Sequence, residues 1–246
     1  MGSVAHSTSI LPPLARSRSL REEESAGRQM REISTRVLNV IVAIGLLVLT
    51  LPLMAAIAVA IRLTSPGPVL YSQPRVGLDR REGGRRRGPR RFQGDRRASD
   101  RGGRIFRIYK FRTMRSGSSE GPQVWAARND PRVTWVGQFL RAHRLDELPQ
   151  LFNVVKGDMN LVGPRPEQPE IFDELRRAIK LYPKRQTVRP GITGWAQVNH
   201  QYDETIDDVR RKLHYDLEYV KRKSVGKDLL IMAKTPPVMF FKQGSR

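Results

Sequence analysis

The pattern of hydrophobic and polar positions begins with a polar segment that is followed by one long apolar run. Residues 1–30 are rich in Ser, Arg, Glu and Pro and show no apolar periodicity. Such a segment lacks the buried surface that would offset the entropy of ordering it, so it is predicted to be a disordered tail. Residues 37–61 contain 25 positions without a charged side chain, enough to cross a bilayer as a helix. We place the membrane segment at residues 31–63.

Pro52 interrupts this apolar run. Proline removes an amide donor and clashes with the preceding turn, which leaves 15 apolar residues before it and nine after it. Neither arm would span a hydrocarbon core about 30 Å thick. Five arginines lie in residues 17–36 and four in residues 62–81, a charge pattern that places both flanks in the cytoplasm. The sequence therefore predicts a re-entrant helix hairpin broken at Pro52, with a Pro-kinked span as the alternative.

The rest of the chain, residues 64–246, is predicted to form one cytoplasmic domain of the α+β class, mainly helical. β-Branched and aromatic residues predict strands at residues 69–76 and 105–114. Periodicity and Pro or Gly boundaries predict helices at residues 132–143, 147–155, 169–181, 205–223 and 227–241. The segment 227–241 has apolar residues beside lysines and is expected to end at Pro236-Pro237. It fits a membrane-interface helix and an ordinary core-packing helix equally well.

The charge balance narrows the class of partner. The chain has 45 Lys and Arg against 24 Asp and Glu, a net charge of +21 that attracts nucleic acid, lipid head groups or phosphorylated substrates. The basic residues concentrate at residues 79–104, which predict a solvated loop, with contact to anionic lipid as one alternative and nucleic-acid binding as a less favoured one. Phe92 alone gives little basis for base stacking, so nucleic acid is not expected as a partner. A membrane-anchored nucleic-acid-binding protein stays as the alternative. The absence of cysteine excludes disulfides and thiolate chemistry.

Two adjacent carboxylates are the first candidates for chemistry. Asp146 and Glu147 precede Pro149, which suits a first helical turn, so both are predicted to lie at a helix N-terminus that favours ionised acids and phosphate. Adjacent acids alone most often cap a helix. The neighbouring cations change this interpretation towards an anionic ligand, and they are Arg132, Arg141, Arg144, Lys156 and Arg165. Pro164 and Pro166 stiffen the backbone around Arg165, whose guanidinium matches phosphate geometry.

Several motifs then occur in one order along the chain. They are KFRTM at 110–114, DPRVT and GQFLR within 130–141, LDELPQLFNVVKGDMNLVGPRPE at 145–167 and RPGITGWAQVN at 189–199. In this order they resemble the bacterial sugar transferase family, the monotopic phosphoglycosyl transferases, from about Arg36 to the C-terminus. The resemblance is to a short, catalytic-unit form. It implies transfer of a sugar phosphate from a UDP-sugar to a polyprenol phosphate at the bacterial cytoplasmic membrane, with release of UMP.

The resemblance also implies roles for individual residues. Asp146 matches the nucleophile, which would form a phosphosugar-aspartate intermediate, and Glu147 matches its acidic partner. The substrate-binding positions that the resemblance implies are Lys110, Arg112, Arg141, Asp158, Arg165, Glu167 and Arg189. A carboxylate that attacks a diphosphate needs cations, so Mg²⁺ held by Asp146 and Glu147 is expected. Gly191 and Gly194 are predicted to be turn glycines that require positive φ.

Overall fold

The computed structural model describes residues 13–79, 102–115, 130–200 and 205–241, so most of the predicted Arg-rich loop lies outside the described residues. The elements confirm the mainly helical α+β class. In chain order they are α1 (Pro13–Thr64), β1 (Leu70–Val76), β2 (Ile105–Phe111), α2 (Trp135–Ala142), a 3-10 turn (Leu145–Glu147), α3 (Gln150–Lys156), β3 (Asn160–Val162), α4 (Pro169–Ala178), a second 3-10 segment (Tyr182–Thr187), β4 (Gly191–Thr193), α5 (Trp195–Asn199), α6 (Ile206–Arg222) and α7 (Val225–Phe241).

The first helix, α1, differs from the sequence prediction at its start and at Pro52. It begins at Pro13, so the prediction of a disordered tail is wrong for residues 13–30, and residues 1–12 lie outside the described part of the chain. Arg, Glu and Leu are good helix formers, and they extend a helix once an apolar segment has nucleated it. The predicted break at Pro52 is not seen, because α1 is helical through that residue. Within α1, Gln29–Thr64 is long and apolar enough to cross a membrane.

One face of α1 packs against the rest of the chain. Along α1 the buried positions recur at spacings of three or four residues, apart from one gap of eleven residues in which Leu47 is partly buried. They are Thr35, Asn39, Ala43, Met54, Ile57, Ile61 and, just beyond the helix, Ser65. This periodicity puts them on one side of an α-helix. The opposite side exposes large apolar residues such as Val48, which is 70% exposed, and Leu49, which is 75% exposed. The helix thus has a side that packs on the domain and an exposed apolar side, which is compatible with a membrane anchor.

Two short sheets join the helices. β1 and β2 pair antiparallel from Leu70 opposite Phe111 to Val76 opposite Ile105, whereas β3 and β4 pair in parallel. The fully buried Asn153 of α3 attaches that helix to β2, since its side chain accepts from the Tyr109 amide at 3.0 Å and donates to the Arg107 carbonyl at 2.7 Å. Because these bonds fix α3 beside β2, they also fix the turn that precedes α3.

The glycines near β4 serve close packing. Gly194 has φ of −165°, and Gly191 is absent from the described glycines with positive φ, so the predicted positive-φ turn is wrong. A Cβ on Gly191 would lie 2.1 Å from the Gly163 amide nitrogen, and one on Gly194 would lie 2.3 Å from the Gly163 carbonyl oxygen. These glycines are required because the two backbone segments approach too closely for any side chain.

The last helix, α7, also extends beyond its predicted end. It continues through Pro236-Pro237 to Phe241. Ile231 is fully buried in the same core cluster as Ala43, while Leu229 and Leu230 are about half exposed. One side of α7 therefore packs in the core, as one of the two sequence interpretations expected.

Candidate active site

Asp146 and Glu147 lie in the 3-10 turn between α2 and α3. Arg144 has φ of 54°, the one positive φ among the described non-glycine residues, and this left-handed residue ends α2 and starts the turn. Helix α3 begins only at Gln150, with Pro149 as its N-cap residue. The predicted location at the helix N-terminus is therefore wrong by one turn, because the left-handed Arg144 is followed by the 3-10 turn before α3 begins.

Two cations from different elements bind Glu147. Lys110 of β2 donates from Nζ to Glu147 Oε1 at 2.9 Å. Arg165 donates from Nη2 to Oε1 at 2.6 Å and from Nη1 to Oε2 at 3.2 Å, which is the two-bond geometry of a guanidinium and a carboxylate. Lys110 Nζ also lies 3.7 Å from Asp146 Oδ2. Both carboxylates are buried, so the site is a shielded cluster of two acids and two cations.

This environment shifts the pKa values of the two acids in opposite directions. Burial raises the pKa of Asp146, the charge of Glu147 adds to the rise, and Lys110 opposes it. Burial would also raise the pKa of Glu147, but Arg165 and Lys110 outweigh burial and hold that pKa well below its usual range. Glu147 is thus a fixed anion that orients two cations, while Asp146 keeps the higher proton affinity of the pair.

The loop that carries Arg165 is held through three consecutive carbonyl oxygens. Arg185 donates to the Arg165 carbonyl at 2.9 Å, Arg75 donates to the Pro166 carbonyl at 3.3 Å, and the Val76 amide donates to the Glu167 carbonyl at 2.9 Å. These bonds fix the backbone from β1 on one side and from the second 3-10 segment on the other. The position of the Arg165 guanidinium therefore does not depend on proline stiffness alone.

Arg185 is a functional candidate that sequence reasoning missed. Its side chain is 1% exposed and pairs with Asp216 at 2.7 Å, and it donates to the Tyr182 hydroxyl at 2.6 Å. In the sequence it stands beside Lys184 and has the signature of an ordinary surface cation. Only the fold, which brings α6 against the second 3-10 segment, distinguishes Arg185 from its neighbours.

Glu167 belongs to this supporting network. It pairs with Lys212 at 3.2 Å and with Arg185 at 3.4 Å. Burial would raise its pKa, but Lys212, Arg185 and Arg75 lower it to about 2. The carboxylate that the family resemblance placed near the nucleotide is thus bound to the protein's own cations in this structure.

Arg141 and Arg112 lie on the side of the site that faces α1. Arg141 donates to Thr113 Oγ1 at 2.9 Å, and although burial lowers its pKa, Asp146 and Asp130 oppose that shift. This places Arg141 within electrostatic range of the acid pair. Arg112 donates to the Ser65 carbonyl at 2.7 Å and to the Pro66 carbonyl at 2.7 Å, directly after the end of α1.

Asp158 and Arg189 lie elsewhere, at the other end of α3. They line a small cavity together with Gly77, Leu78, Arg104, Phe106 and Gly157. Asp158 pairs with Lys156 at 3.5 Å and with Arg104 at 3.9 Å. The structure thus places Lys110, Arg141 and Arg165 around the acid pair and Asp158 and Arg189 beyond the C-terminus of α3. Arg112 contacts the end of α1, and Glu167 belongs to the supporting network of Arg185.

The buried acid pair beside its cations and the membrane-capable helix α1 are compatible with the family that the sequence motifs resemble, and the comparison with known proteins agrees. Residues 30–83 and 85–242 match the family model described as bacterial sugar transferase. The chain belongs to the bacterial sugar transferase family.

Individual relatives are enzymes of lipid-linked sugar transfer by name. The chain is 43% identical over 211 residues to the UDP-N-acetylgalactosamine-undecaprenyl-phosphate N-acetylgalactosaminephosphotransferase of Aeromonas hydrophila, covering 86% of this chain and 44% of that protein. It is 37% identical over 202 residues to the UDP-glucose:undecaprenyl-phosphate glucose-1-phosphate transferase of Escherichia coli (strain K12), covering 81% and 39%. An enzyme of the same name from Caulobacter vibrioides is 40% identical over 209 residues, covering 84% and 69%. The chain therefore spans less than half the length of the first two.

Proposed function

We propose that this chain transfers a sugar 1-phosphate from a UDP-sugar to undecaprenyl phosphate and releases UMP, as the first membrane step of a glycan pathway. The observation that carries the proposal is the buried acid pair, in which Glu147 is clamped by Lys110 and Arg165 while Asp146 lies beside it. The family and the names of the relatives support the two substrate classes.

In the first step, an oxygen of Asp146 attacks the phosphorus that carries the sugar. The bond from this phosphorus to the bridging oxygen of the diphosphate breaks, and UMP leaves with the electron pair. The product on the protein is a phosphosugar-aspartate acyl phosphate. Attack by one anion on another needs fixed positive charge, and Lys110, Arg165 and Arg141 supply it inside a buried site where electrostatic interactions are strong.

In the second step, an oxygen of the lipid phosphate attacks the same phosphorus. The bond between that phosphorus and the Asp146 oxygen breaks, which regenerates the carboxylate and yields the undecaprenyl diphosphate sugar. Dividing the reaction in this way lets the soluble nucleotide leave before the lipid reacts, and it predicts ping-pong kinetics. Glu147 acts by holding Lys110 and Arg165 in place during both steps.

Mg²⁺ fits this site through Asp146 and the phosphates of the substrate. Mg²⁺ is usually held by one or two carboxylates together with substrate phosphate oxygens. Both oxygens of Glu147 accept hydrogen bonds from the protein, and the described residues contain no cluster of three or more metal-ligating side chains. Asp146 would therefore be the main protein ligand, with Glu147 beside it. Bound there, the ion would neutralise charge on the diphosphate.

We also propose that the chain enters and leaves the cytoplasmic leaflet on one side, with its domain in the cytoplasm. At the start of the apolar segment, Arg36 donates to the carbonyls of Val154 at 2.6 Å and Met159 at 3.1 Å. At its end, Arg112 donates to Ser65. Contacts from a single domain at both ends support a membrane segment that returns to the side it came from, which would require α1, continuous through Pro52 in this structure, to bend at that residue in the bilayer.

The experiment is an assay of UMP release by the purified chain with UDP-sugars, Mg²⁺ and undecaprenyl phosphate. Asp146→Asn should lower turnover by at least about a thousandfold, because it removes the nucleophile. Asp207→Asn is the matched control, since Asp207 is an exposed acid of α6 whose side chain is 73% exposed. Full turnover by Asp146→Asn would exclude Asp146 as the nucleophile. A nucleic-acid-binding protein, by contrast, would show no UMP release and would bind equally well with either variant.

A further inference from the structure

An apolar groove lies between the second half of α1 and α2. Its lining residues are Ala56, Ile57, Ala60, Trp135, Val136, Phe139 and Leu140. The two alanines lie one helical turn apart and leave room that larger side chains would fill. Trp135 and Phe139 form the outer wall and are 72% and 55% exposed. A groove with this lining suits a slender hydrocarbon chain and offers almost nothing to a polar ligand.

The groove and the acid pair are connected through one core cluster. Ile57, Val136 and Leu140 belong to a core cluster that also contacts Leu145 and Leu148, the residues on either side of the acid pair. The side chains that line the groove therefore pack in the same cluster as the residues that flank the acid pair.

Helix α2 connects the groove with the cations. Leu140 lines the groove, and the next residue, Arg141, is hydrogen-bonded to Thr113 and interacts electrostatically with Asp146. An apolar groove with a half-buried cation on the helix that lines it matches a molecule with a hydrocarbon chain and an anionic head. The groove is also continuous with the exposed apolar side of α1, through which a membrane lipid would reach it.

We propose that this groove binds the first isoprene units of the lipid acceptor, so that the acceptor's phosphate reaches the cations beside Asp146. The inference rests on the proposed function, which requires a polyprenyl phosphate. It adds the place where the chain of that lipid lies and the residues that recognise it. Ala56 and Ala60 admit the chain, and Trp135 and Phe139 cover it.

The test fills the groove and measures each half of the reaction separately. Ala60→Phe should raise the KM for undecaprenyl phosphate by roughly tenfold or more, because it occupies the space of the chain. UMP release from the UDP-sugar in a single turnover without acceptor should keep its wild-type rate, which also shows that the variant is folded. Val59→Phe is the matched control, because Val59 neighbours Ala60 but is 58% exposed and does not line the groove.

A second measurement reports on occupancy directly. A ten-carbon isoprenyl phosphate that carries a photoreactive group should crosslink to the segment 135–140, and undecaprenyl phosphate should compete with it. Competition by phosphatidylglycerol but not by undecaprenyl phosphate would assign the groove to bilayer lipid and overturn the proposal. An unchanged KM in Ala60→Phe would do the same. If the wild-type chain releases no UMP with any sugar, the proposed function fails, whereas the crosslinking result still decides whether the groove binds an isoprenyl chain.

Discussion

The buried pair of Arg185 and Asp216 gives the sharpest prediction about stability. The two side chains are 1% and 3% exposed and lie 2.7 Å apart. Arg185→Met removes the cation and leaves the Asp216 carboxylate buried without its closest partner. Removing one member of a buried ion pair typically costs about 3–5 kcal/mol, whereas replacing both members by apolar residues costs far less.

The double variant Arg185→Met with Asp216→Leu separates these two effects. It removes the uncompensated charge and leaves mainly the Tyr182 hydroxyl and the Arg165 carbonyl without Arg185 as donor, at about 1 kcal/mol each. For a chain of this size, 1 kcal/mol shifts Tm by roughly 2–4 °C. We therefore expect Tm to fall by about 10 °C in the single variant and by about 5 °C in the double variant.

The assay is thermal unfolding in detergent micelles at one fixed scan rate, followed by tryptophan fluorescence. Arg210→Met is the control, because Arg210 pairs with Asp207 on the surface and is 60% exposed. That variant should change Tm by no more than about 2 °C, since exposed ion pairs contribute little. Burial raises the pKa of Asp216 even beside Arg185, so the deficit of the single variant should grow with rising pH, as the buried carboxyl loses its proton. A double variant less stable than the single one would refute the reasoning.

Two further predictions concern the acid pair and its turn. Burial raises the pKa of Asp146, and only its anion is nucleophilic, so UMP release in a single turnover should decline on acidification at a higher pH than an ordinary aspartate would cause. Because Lys110 lowers that pKa, Lys110→Met should move the decline to still higher pH. A midpoint that stays in place or moves to lower pH would contradict the assignment of Asp146 as the nucleophile. The second prediction concerns Arg144, which has φ of 54°. In thermal unfolding, Arg144→Gly should leave Tm nearly unchanged, whereas Arg144→Ile should destabilise the fold by about 1–2 kcal/mol. Equal Tm values for the two variants would exclude backbone strain at this turn.

Sequence patterns predicted the features that depend on neighbouring residues. Periodicity and composition predicted the apolar run of α1, the strands β1 and β2 and the main helices. These elements depend on the geometry of neighbouring residues, so a local pattern is sufficient to find them. The acid pair was found because Asp146 and Glu147 stand within a dense group of cations. The predicted helix start at Glu147 was wrong by one turn. Sequence alone did not reveal the left-handed conformation of Arg144, which precedes the 3-10 turn.

The features that the sequence did not predict depend on contacts between distant segments. Asp216 pairs with Arg185 only because α6 packs against the second 3-10 segment. The composition around Gly191 and Gly194 is that of an ordinary turn, but their requirement for glycine comes from Gly163, directly after β3. Likewise, Pro52 is compatible with a continuous helix once the rest of α1 packs on the domain, since one missing hydrogen bond is a small part of the total.

The seven-residue helix α3 links the membrane segment to the chemistry. At its C-terminal end, carbonyls of Val154 and Val155 accept hydrogen bonds from Arg36, at the start of the apolar segment of α1. In its middle, Asn153 binds the backbone of β2, the strand that supplies Lys110. At its N-terminal end, the chain continues directly from the acid pair. The apolar segment of α1 and the position of Asp146 are therefore both fixed by contacts with the same short helix. The proposed lipid acceptor would require this, because its phosphate can meet the proposed nucleophile only at one height above the bilayer.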